Sequence, residues 1–424
     1  MKKKLFTQPP IFPVDPGIIP DARRIRLKNN IPAFLIEAGT ENISRIEFTF
    51  TAGSVKENIP LLASTTNMML TEGTKNYTAA KLNRTLDFYG SFYNLFSEKD
   101  RAGIVIYCMN KHLEKILGLA SEIIFHPVFP PDELNTMMKK RLSWYLVNRE
   151  KVNSLAMDQF FESIFGSLHP YGRQVIADHF NNIDTARLKD FHSVFYNPEN
   201  LAIIVAGKIH EKTDDLLDLY FGKAVSEAIR PKESCRIPES QEGRKVHIDK
   251  PGAVQTAIAI GSSTINKRHP DYPGLKILNV VLGGYFGSRL MRNIREDKGY
   301  TYGINSSVHS LDLSGYQIIS AEVSKKNTRN AIEEIYKEIS LLQKVPPERE
   351  ELAIIRNYML GEMVRMFDGP FAIAESFRSA WEFGLDNSYY YTLAEKIRSI
   401  DPDEITSLAR TYYNADELYE ITAG

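Results

Sequence analysis

The pattern of apolar and polar positions predicts several β-strands. Apolar and polar residues alternate from Ile43 to Thr51, and Ile46, Phe48 and Phe50 share one face, as in a strand that is buried on one side. Further strands are predicted in the first half of the chain at 91–97, 102–109 and 201–206, and in the second half at 256–260, 302–308 and 316–323.

Between these strands, apolar residues recur at helical spacing. Leu113, Ile116, Leu117 and Ala120 share one helix face. With prolines and glycines as start and stop signals, the pattern predicts helices over 60–70, 79–88, 111–125, 131–149, 155–165, 186–195, 272–282, 330–342, 348–366 and 373–383. Strand pairs on short connections, followed by runs of helices, predict an α+β fold in which helices cover a mixed, largely antiparallel sheet.

A segment near the middle of the chain recurs at its end. The sequence FYNPENLAIIVAG at 195–207 corresponds to YYNADELYEITAG at 412–424, an offset of 217 positions (424 − 207). The same offset relates the Ile-Asp pair at 183–184 to the pair at 400–401, and each pair opens a predicted helix. We therefore expect two tandem homologous domains, at 21–228 and 245–424. An N-terminal arm, 1–20, precedes them, and a polar, proline-containing linker, 229–244, joins them.

Composition and charge argue against nucleic acid and membranes as binding partners. Hydrophobic residues make up 43% of the 424 positions, and 52 Lys+Arg balance 53 Asp+Glu, so the chain has no basic field to attract nucleic acid. No apolar run approaches a membrane span, and the lysines after Met1 lead into no secretory signal. Cys108 and Cys235 show no metal or redox spacing. These observations predict a cytoplasmic protein with no membrane partner.

Short motifs occur in both halves in a definite order. They are MLTEGT at 69–74, HPYGR at 169–173, YNP at 196–198, LGG at 282–284, SRL at 288–290 and REDKGYTYG at 295–303. In order and spacing, these motifs resemble the pitrilysin/insulinase-type zinc peptidases. That family includes the mitochondrial processing peptidase and the core proteins of the respiratory bc1 complex. The resemblance covers nearly the whole chain after about residue 20 and implies the two-domain α+β fold.

The resemblance also implies a metal site whose ligands this sequence lacks. Active members carry H-x-x-E-H on the helix before the M-L-x-x-G-T stretch, and a further Glu follows roughly seventy-five residues later. The matching positions here are Ser64, Asn67 and Met68, and 140–148 contains no carboxylate. A hydroxyl and a thioether are poor zinc ligands, and an amide cannot accept a proton from water at neutral pH. We expect this chain to bind no metal and no other cofactor.

A second motif of the family is retained. Where the two halves of the active site belong to different subunits, the zinc-free chain supplies an Arg and a Tyr in the pattern R-E-x-x-G-x-x-Y. Arg295 and Tyr302 stand at these positions. The resemblance implies that they hold the oxyanion while the partner's zinc site cleaves the peptide. Gly283, Gly284 and Arg289 are candidate peptide contacts, although a tight turn explains the glycines equally well.

Two functions from different classes follow. The first is the non-catalytic subunit of a heterodimeric metallopeptidase, whose zinc-bearing homologous partner cleaves unfolded peptides. The second is an inactive scaffold or peptide-binding protein resembling the bc1 core proteins, and homodimerisation of the isolated chain stays open. A lone hydrolase with Ser64 as nucleophile has little support, because no G-x-S-x-G surrounds that serine.

Smaller features have plain structural interpretations. His169 and Arg173 are expected to anchor a loop through hydrogen bonds. Cys108, on an apolar strand, is expected to be buried and inert. The tyrosines at 389–391 either face a partner or pack within a helix.

Overall fold

The structure is a computed structural model that describes residues 17, 19–225 and 243–424. Most of the predicted arm at 1–20, most of the predicted linker at 229–244, and Cys235 lie outside the described residues. The described residues form two β-sheets, each covered by helices. Within these residues, no helix is both long enough and apolar enough to cross a bilayer.

The first half builds a six-stranded sheet in the order β1-β2-β6-β3-β5-β4. Neighbouring strands pair antiparallel except β2 and β6, which are parallel. The strands are β1 Arg23–Arg26, β2 Pro32–Glu37, β3 Ile43–Phe50, β4 Phe92–Ser97, β5 Ala102–Met109 and β6 Leu201–Gly207. The helices are α1 Leu62–Met69, α2 Ala79–Phe88, α3 Leu113–Phe125, α4 Pro131–Arg149, α5 Val152–Phe165, α6 Thr185–Phe195 and α7 Thr213–Tyr220.

The second half builds a five-stranded sheet in the order β7-β11-β8-β10-β9, in which β7 and β11 are the parallel pair. The strands are β7 Lys245–Ile248, β8 Gln255–Thr264, β9 Thr301–Ser310, β10 Gly315–Ser324 and β11 Tyr419–Ala423. The helices are α8 Tyr272–Leu282, α9 Thr328–Lys344, α10 Arg349–Met366, α11 Pro370–Trp381, α12 Ser388–Ser399 and α13 Pro402–Tyr412, with a π-helical segment at Met291–Asp297.

The repeated segment holds the same place in both halves. β6 lies between the parallel β2 and the antiparallel β3, and β11 lies between the parallel β7 and the antiparallel β8. Asp184 and Asp401 cap α6 and α13, where each carboxylate accepts a backbone N–H at 2.8 Å. The predicted fold class, two homologous units with mixed and largely antiparallel sheets, is confirmed.

Each half also lends one helix to the sheet of the other half. α5 packs across β8 and β11, where Phe160 is buried in one cluster with Ile421. α11 packs on β2 and β6, where Ile373 is buried with Ile204. The two helices are counterparts in the repeat, since α11 starts 218 residues after α5 (370 − 152). The exchange is therefore reciprocal, and each sheet has its own helices on one face and the borrowed helix on the other.

Charged side chains orient one of these borrowed helices. On β3, the carboxylate of Glu47 is buried and lies 2.8 Å from Nη1 of Arg45. The Arg378 guanidinium of α11 reaches the same carboxylate, with Nε 3.1 Å from Oε1. A buried carboxylate is tolerated only where cations compensate it, so Glu47 favours the register of α11 that presents Arg378.

We expect Phe160→Ala to lower the free energy of unfolding by about 3–5 kcal/mol, because Phe160 is fully buried between the halves and its truncation leaves a cavity. Urea titration followed by circular dichroism measures the change. The matched control is Phe88→Ala, since Phe88 is 81% exposed and should change stability by less than about 0.5 kcal/mol. Equal effects of the two substitutions would contradict the interface described above.

Candidate functional site

The helix expected to carry the metal positions, α1, begins at an unusual backbone conformation. Leu61, just before the helix, has a φ of 76°, a left-handed conformation that costs a branched residue about 1–3 kcal/mol. The carboxylate of Glu57 accepts the N–H of Ala63 in the first turn at 2.9 Å. This carboxylate satisfies one backbone donor that the helix itself leaves unpaired and complements the positive end of the helix dipole.

The face of α1 that is turned towards α4 is in contact with an arginine side chain. Arg141 of α4 donates from Nη2 to the hydroxyl of Ser64 at 2.8 Å and from Nη1 to the hydroxyl of Thr65 at 2.5 Å. Sequence reasoning missed Arg141. The sequence feature that could have indicated it is an arginine 77 positions after Ser64 (141 − 64). This is close to the spacing at which the family resemblance places the last carboxylate ligand.

Asn67, where the family resemblance places the general base, is buried in the protein interior. Its amide nitrogen donates to the carbonyl of Gly103 and to the hydroxyl of Tyr196, both at 3.1 Å. In the second half an asparagine makes a similar connection, to the edge strand β9. Asn279 of α8 donates to the Ser306 carbonyl at 3.0 Å and accepts the Ser306 hydroxyl at 2.7 Å. Asn67 therefore fastens its helix to the sheet, as Asn279 does.

These residues do not fit a zinc ion. Of the three matching positions, Met68 is 37% exposed and lines a cavity, Ser64 contacts Arg141, and Asn67 is buried. A guanidinium within 2.8 Å of the Ser64 hydroxyl would repel a divalent cation bound at that position. Across the described ranges, no group of three or more His, Cys, Asp or Glu side chains could hold a metal ion.

A cavity of about 710 Å³ lies beside α1, with walls from α4 and α5. Glu72 and Glu133 line it together with Lys140 and Arg141. Burial, and next the charge of Glu133, raise the pKa of Glu72, while Lys140 opposes that shift. Trp144, 70% exposed, lines the cavity as well. The cavity thus combines acidic, basic and aromatic groups beside the helix on which the family resemblance places the metal positions.

Arg295 and Tyr302 lie apart from the residues that line this cavity. Arg295 belongs to the π-helical segment, and its guanidinium stacks on the ring of Phe286 at 4.6 Å. Tyr302 lies on β9, the edge strand of the second sheet, and is 94% exposed. The N–H of Tyr300 donates to the carbonyl of Ile294 at 3.0 Å. This bond holds the segment against the start of the strand, so the elements that carry the two residues are neighbours.

The glycine-rich turn is explained by packing. A side chain at the buried Gly283 would approach Ser306 to 2.7 Å, and one at Gly284 would approach the backbone of Val280 to 2.8 Å. Arg289 binds both carboxylate oxygens of Glu351 on α10, at 2.9 and 2.8 Å. The role of these residues as peptide contacts stays a prediction.

The loop at 169–173 supports α1 from below, as the loop-anchoring interpretation predicts. Arg173 donates to the carbonyls of Glu57 and Asn58 at 3.1 and 3.2 Å, and its guanidinium lies 3.7 Å from the Glu57 carboxylate. The ring Nδ1 of His169 accepts the N–H of Tyr171 at 3.1 Å. The loop thus holds Glu57 in place below the first turn of α1.

The remaining sequence features also have structural roles. Cys108 is buried, and burial raises the pKa of its thiol to about 12, so the cysteine is inert. Tyr389 and Tyr390 pack in the core of the second half, while Tyr391 is 42% exposed. Packing therefore accounts for two of the three tyrosines.

Comparisons with known proteins identify the family and the fold. The family model described as Insulinase (Peptidase family M16) matches residues 33–178, and the model described as Peptidase M16 inactive domain matches residues 182–359. An uncharacterized zinc protease of Mycobacterium tuberculosis is 23% identical over 350 residues, which cover 81% of this chain and 79% of that protein.

A probable inactive metalloprotease of Bacillus subtilis, YmfF, is 22% identical over 274 residues, covering 62% of this chain and 63% of that protein. Among solved structures, a peptidase M16 inactive domain from Pseudomonas fluorescens superposes with a TM-score of 0.86 at 21% identity. The superposition covers 95% of this chain and 98% of that chain.

The contacts of Arg141 predict how a zinc site could be rebuilt. With Ser64→His and Met68→His alone, zinc should bind weakly, because the guanidinium remains beside both imidazoles. Adding Arg141→Glu removes the repulsion and supplies a third ligand, so affinity should rise at least about tenfold. Competition with a chelating dye measures it. Adding Arg149→Glu instead is the control, and an equal gain from that change would show that Arg141 does not hold the metal position.

Glu57 predicts a pH dependence of stability. Burial raises its pKa to about 7, against the lowering effects of the Ala63 N–H and Arg173. The folded state therefore retains a proton that the unfolded chain releases. The stabilisation is complete below the unfolded pKa of about 4.3 and is lost as pH rises through about 7.

Relative to Glu57→Gln, the wild-type chain should lose about 1–3 kcal/mol of unfolding free energy between pH 5 and 8. The amide variant keeps an acceptor for the Ala63 N–H but has no titrating group. Urea titrations at intervals of one pH unit test the prediction. Profiles that run parallel for the two proteins would refute it.

Proposed function

The chain belongs to the insulinase family of peptidases (peptidase family M16), and on that premise we propose that it is the zinc-free subunit of a two-chain peptidase. Its partner is a homologue with an intact H-x-x-E-H helix, which supplies the metal and the general base. The substrates are unfolded peptides enclosed between the two chains. The use of only two cysteines, far apart in sequence, supports a cytoplasmic location for the pair.

The observation that carries this proposal is the exposure of Tyr302. A tyrosine that is 94% exposed on an edge strand contributes little to its own fold. Among the residues that the structure describes, no carboxylate forms an ion pair with Arg295, whose guanidinium rests on the half-exposed Phe286. An exposed phenol and a half-buried guanidinium that has no ion pair among the described residues thus stand on neighbouring elements, at the two positions where the family resemblance places the donors of zinc-free chains.

The chemistry of the two side chains suits the role of an oxyanion site. A guanidinium and a phenol donate hydrogen bonds to the carbonyl oxygen of a peptide, and these bonds strengthen as negative charge develops on that oxygen. This chain has neither a metal ligand set nor a base at Ser64, Asn67 and Met68, so activation of water falls to the partner. Gly283, Gly284 and Arg289 are candidate peptide contacts within this proposal.

A second candidate function is a peptide-binding or scaffold protein without cleavage. The observation that favours it is the cavity beside α1. The cavity is open although Arg141, which bonds to Ser64 at an expected metal position, lies in its wall. The two candidates differ in one outcome. A peptidase subunit is inert alone and active when mixed with its zinc-bearing partner, whereas a scaffold stays inert in both cases.

We expect Arg295→Ala and Tyr302→Phe each to lower the turnover of the reconstituted pair by about ten- to thousand-fold, the cost of one oxyanion donor. The measurement is cleavage of an unstructured, fluorescence-quenched peptide by this chain mixed with a homologue that carries H-x-x-E-H. Complex formation is followed in parallel by size-exclusion chromatography, so that loss of assembly is separated from loss of turnover.

Matched controls come from the exposed Arg329 and the half-buried Tyr93, elsewhere in the chain. Arg329→Ala removes an exposed guanidinium from α9, and Tyr93→Phe removes a hydroxyl from β4, the edge strand of the first sheet. Both should leave turnover unchanged. If Arg295→Ala and Tyr302→Phe also leave it unchanged, the oxyanion role is wrong. If the assembled wild-type pair cleaves nothing, the scaffold function replaces the peptidase function.

A further inference from the structure

Arg141 is a fixed cation in the wall of the cavity. Its two hydrogen bonds go to the neutral hydroxyls of Ser64 and Thr65. Within the described part of the chain, no carboxylate lies within ion-pair distance of its guanidinium, although the side chain is half-buried. A half-buried guanidinium without a carboxylate partner is unusual, because desolvation of a charge is costly unless an opposite charge compensates it.

The neighbouring carboxylates are engaged elsewhere. Glu57 accepts the Ala63 N–H and lies 3.7 Å from Arg173. Asp158, across the cavity on α5, lies 3.5 Å from Arg149. Glu72 interacts with Glu133 and Lys140. The carboxylate whose charge reaches Arg141 is Glu57, which lies 3.7 Å from Arg173, so Arg141 has no direct ion-pair partner among these carboxylates.

The geometry of Arg141 is suited to a ligand. A guanidinium carries five N–H donors in a planar fork, and the two hydroxyls accept from only two of them. The same hydroxyls fix the plane of the fork, so little conformational entropy is lost when a ligand binds. A carboxylate is the group that accepts two parallel hydrogen bonds from such a fork.

The rest of the cavity suits a peptide. Its volume of about 710 Å³ lies within the range of small-ligand sites, about 300–1,000 Å³. Met68, Met137 and Phe180 provide apolar wall, and Trp144 provides an exposed aromatic face. The cavity wall therefore offers apolar, aromatic and charged side chains together, a combination that suits a peptide with a charged group.

We propose that this cavity binds peptides through a carboxylate held by Arg141, so that a guanidinium has replaced the metal as the positive group opposite α1. The carboxylate is either the C-terminus of the peptide or an aspartate or glutamate side chain. The site belongs to the isolated chain and requires no partner, so it extends the proposed function without depending on the oxyanion residues.

Fluorescence of Trp144 tests the proposal. The chain has two tryptophans, and Trp381→Phe leaves Trp144 as the single reporter in the cavity. Three acetylated pentapeptides of leucine and glycine are titrated into the isolated chain: one with a free C-terminus, its C-terminal amide, and the amide with one aspartate.

At least one of the two carboxylate peptides should bind about ten- to hundredfold more tightly than the uncharged amide. Tight binding of the free acid alone identifies the C-terminus as the ligand group. Tight binding of the aspartyl amide identifies an acidic side chain. Equal affinity of all three peptides, or binding by none at millimolar concentration, would overturn the proposal.

Variants distinguish a specific effect of Arg141 from the effect of positive charge elsewhere in the cavity. Arg141→Gln should abolish the preference for carboxylate peptides, and Arg141→Lys, which keeps the charge but loses the fork, should reduce it severalfold. Arg149→Gln, in the same cavity but facing Asp158, is the matched control and should retain the preference. Circular dichroism melts confirm folding, and Arg141→Lys serves as the test if Arg141→Gln does not fold.

An unchanged preference in a folded Arg141 variant would refute the site. Turnover of the reconstituted pair is measured on the same variants. Loss of the carboxylate preference with turnover retained supports the carboxylate site and leaves the proposed peptidase role intact. An inactive wild-type pair whose isolated chain still prefers carboxylates refutes only the peptidase role.

Discussion

The structure depends on the reciprocal exchange of α5 and α11. Each sheet packs its own helices against one face, and without the borrowed helix the other face would expose apolar residues of its central strands. Two apolar interfaces of this kind orient the two halves, and the ion pairs of Arg378 with Glu47 fix the register of one of them. Since α4 leads directly into α5, the exchange also determines where the wall of the cavity stands.

Helix α1, on which the family resemblance places a metal site, carries no H-x-x-E-H residues and is nevertheless held firmly to its sheet. The reason lies in Asn67, whose amide joins α1 to the sheet and to Tyr196. In the second half, Asn279 bonds to Ser306 on the edge strand β9, and the hydroxyl of Tyr413 lies 3.4 Å from that of Ser306. Both halves therefore use a buried asparagine to hold a helix to the sheet.

Much of the fold could be predicted because its signals are local. α2, α4 and α8 have the predicted bounds, and the repeat at 195–207 and 412–424 marks equivalent strands. β2 was not predicted, since it is buried on both faces and lacks alternation. α12 was not predicted either, because its consecutive tyrosines obscure the helical period. The expectation that this chain binds no metal rests on residue types alone. The position of Arg141 depends on how two helices distant in sequence pack, and no local pattern encodes it.

The exchange of helices has a consequence for the integrity of the molecule. Because each half completes the core of the other, the contacts between the halves resemble those of an obligate dimer and not those of two independent domains joined by a linker. A single cut in the segment that connects the halves would leave two polypeptides still interlocked through α5 and α11. Because the two halves are one polypeptide, they are present in a ratio of one to one and their association does not depend on concentration. Their relative orientation, however, is determined by the interface between them.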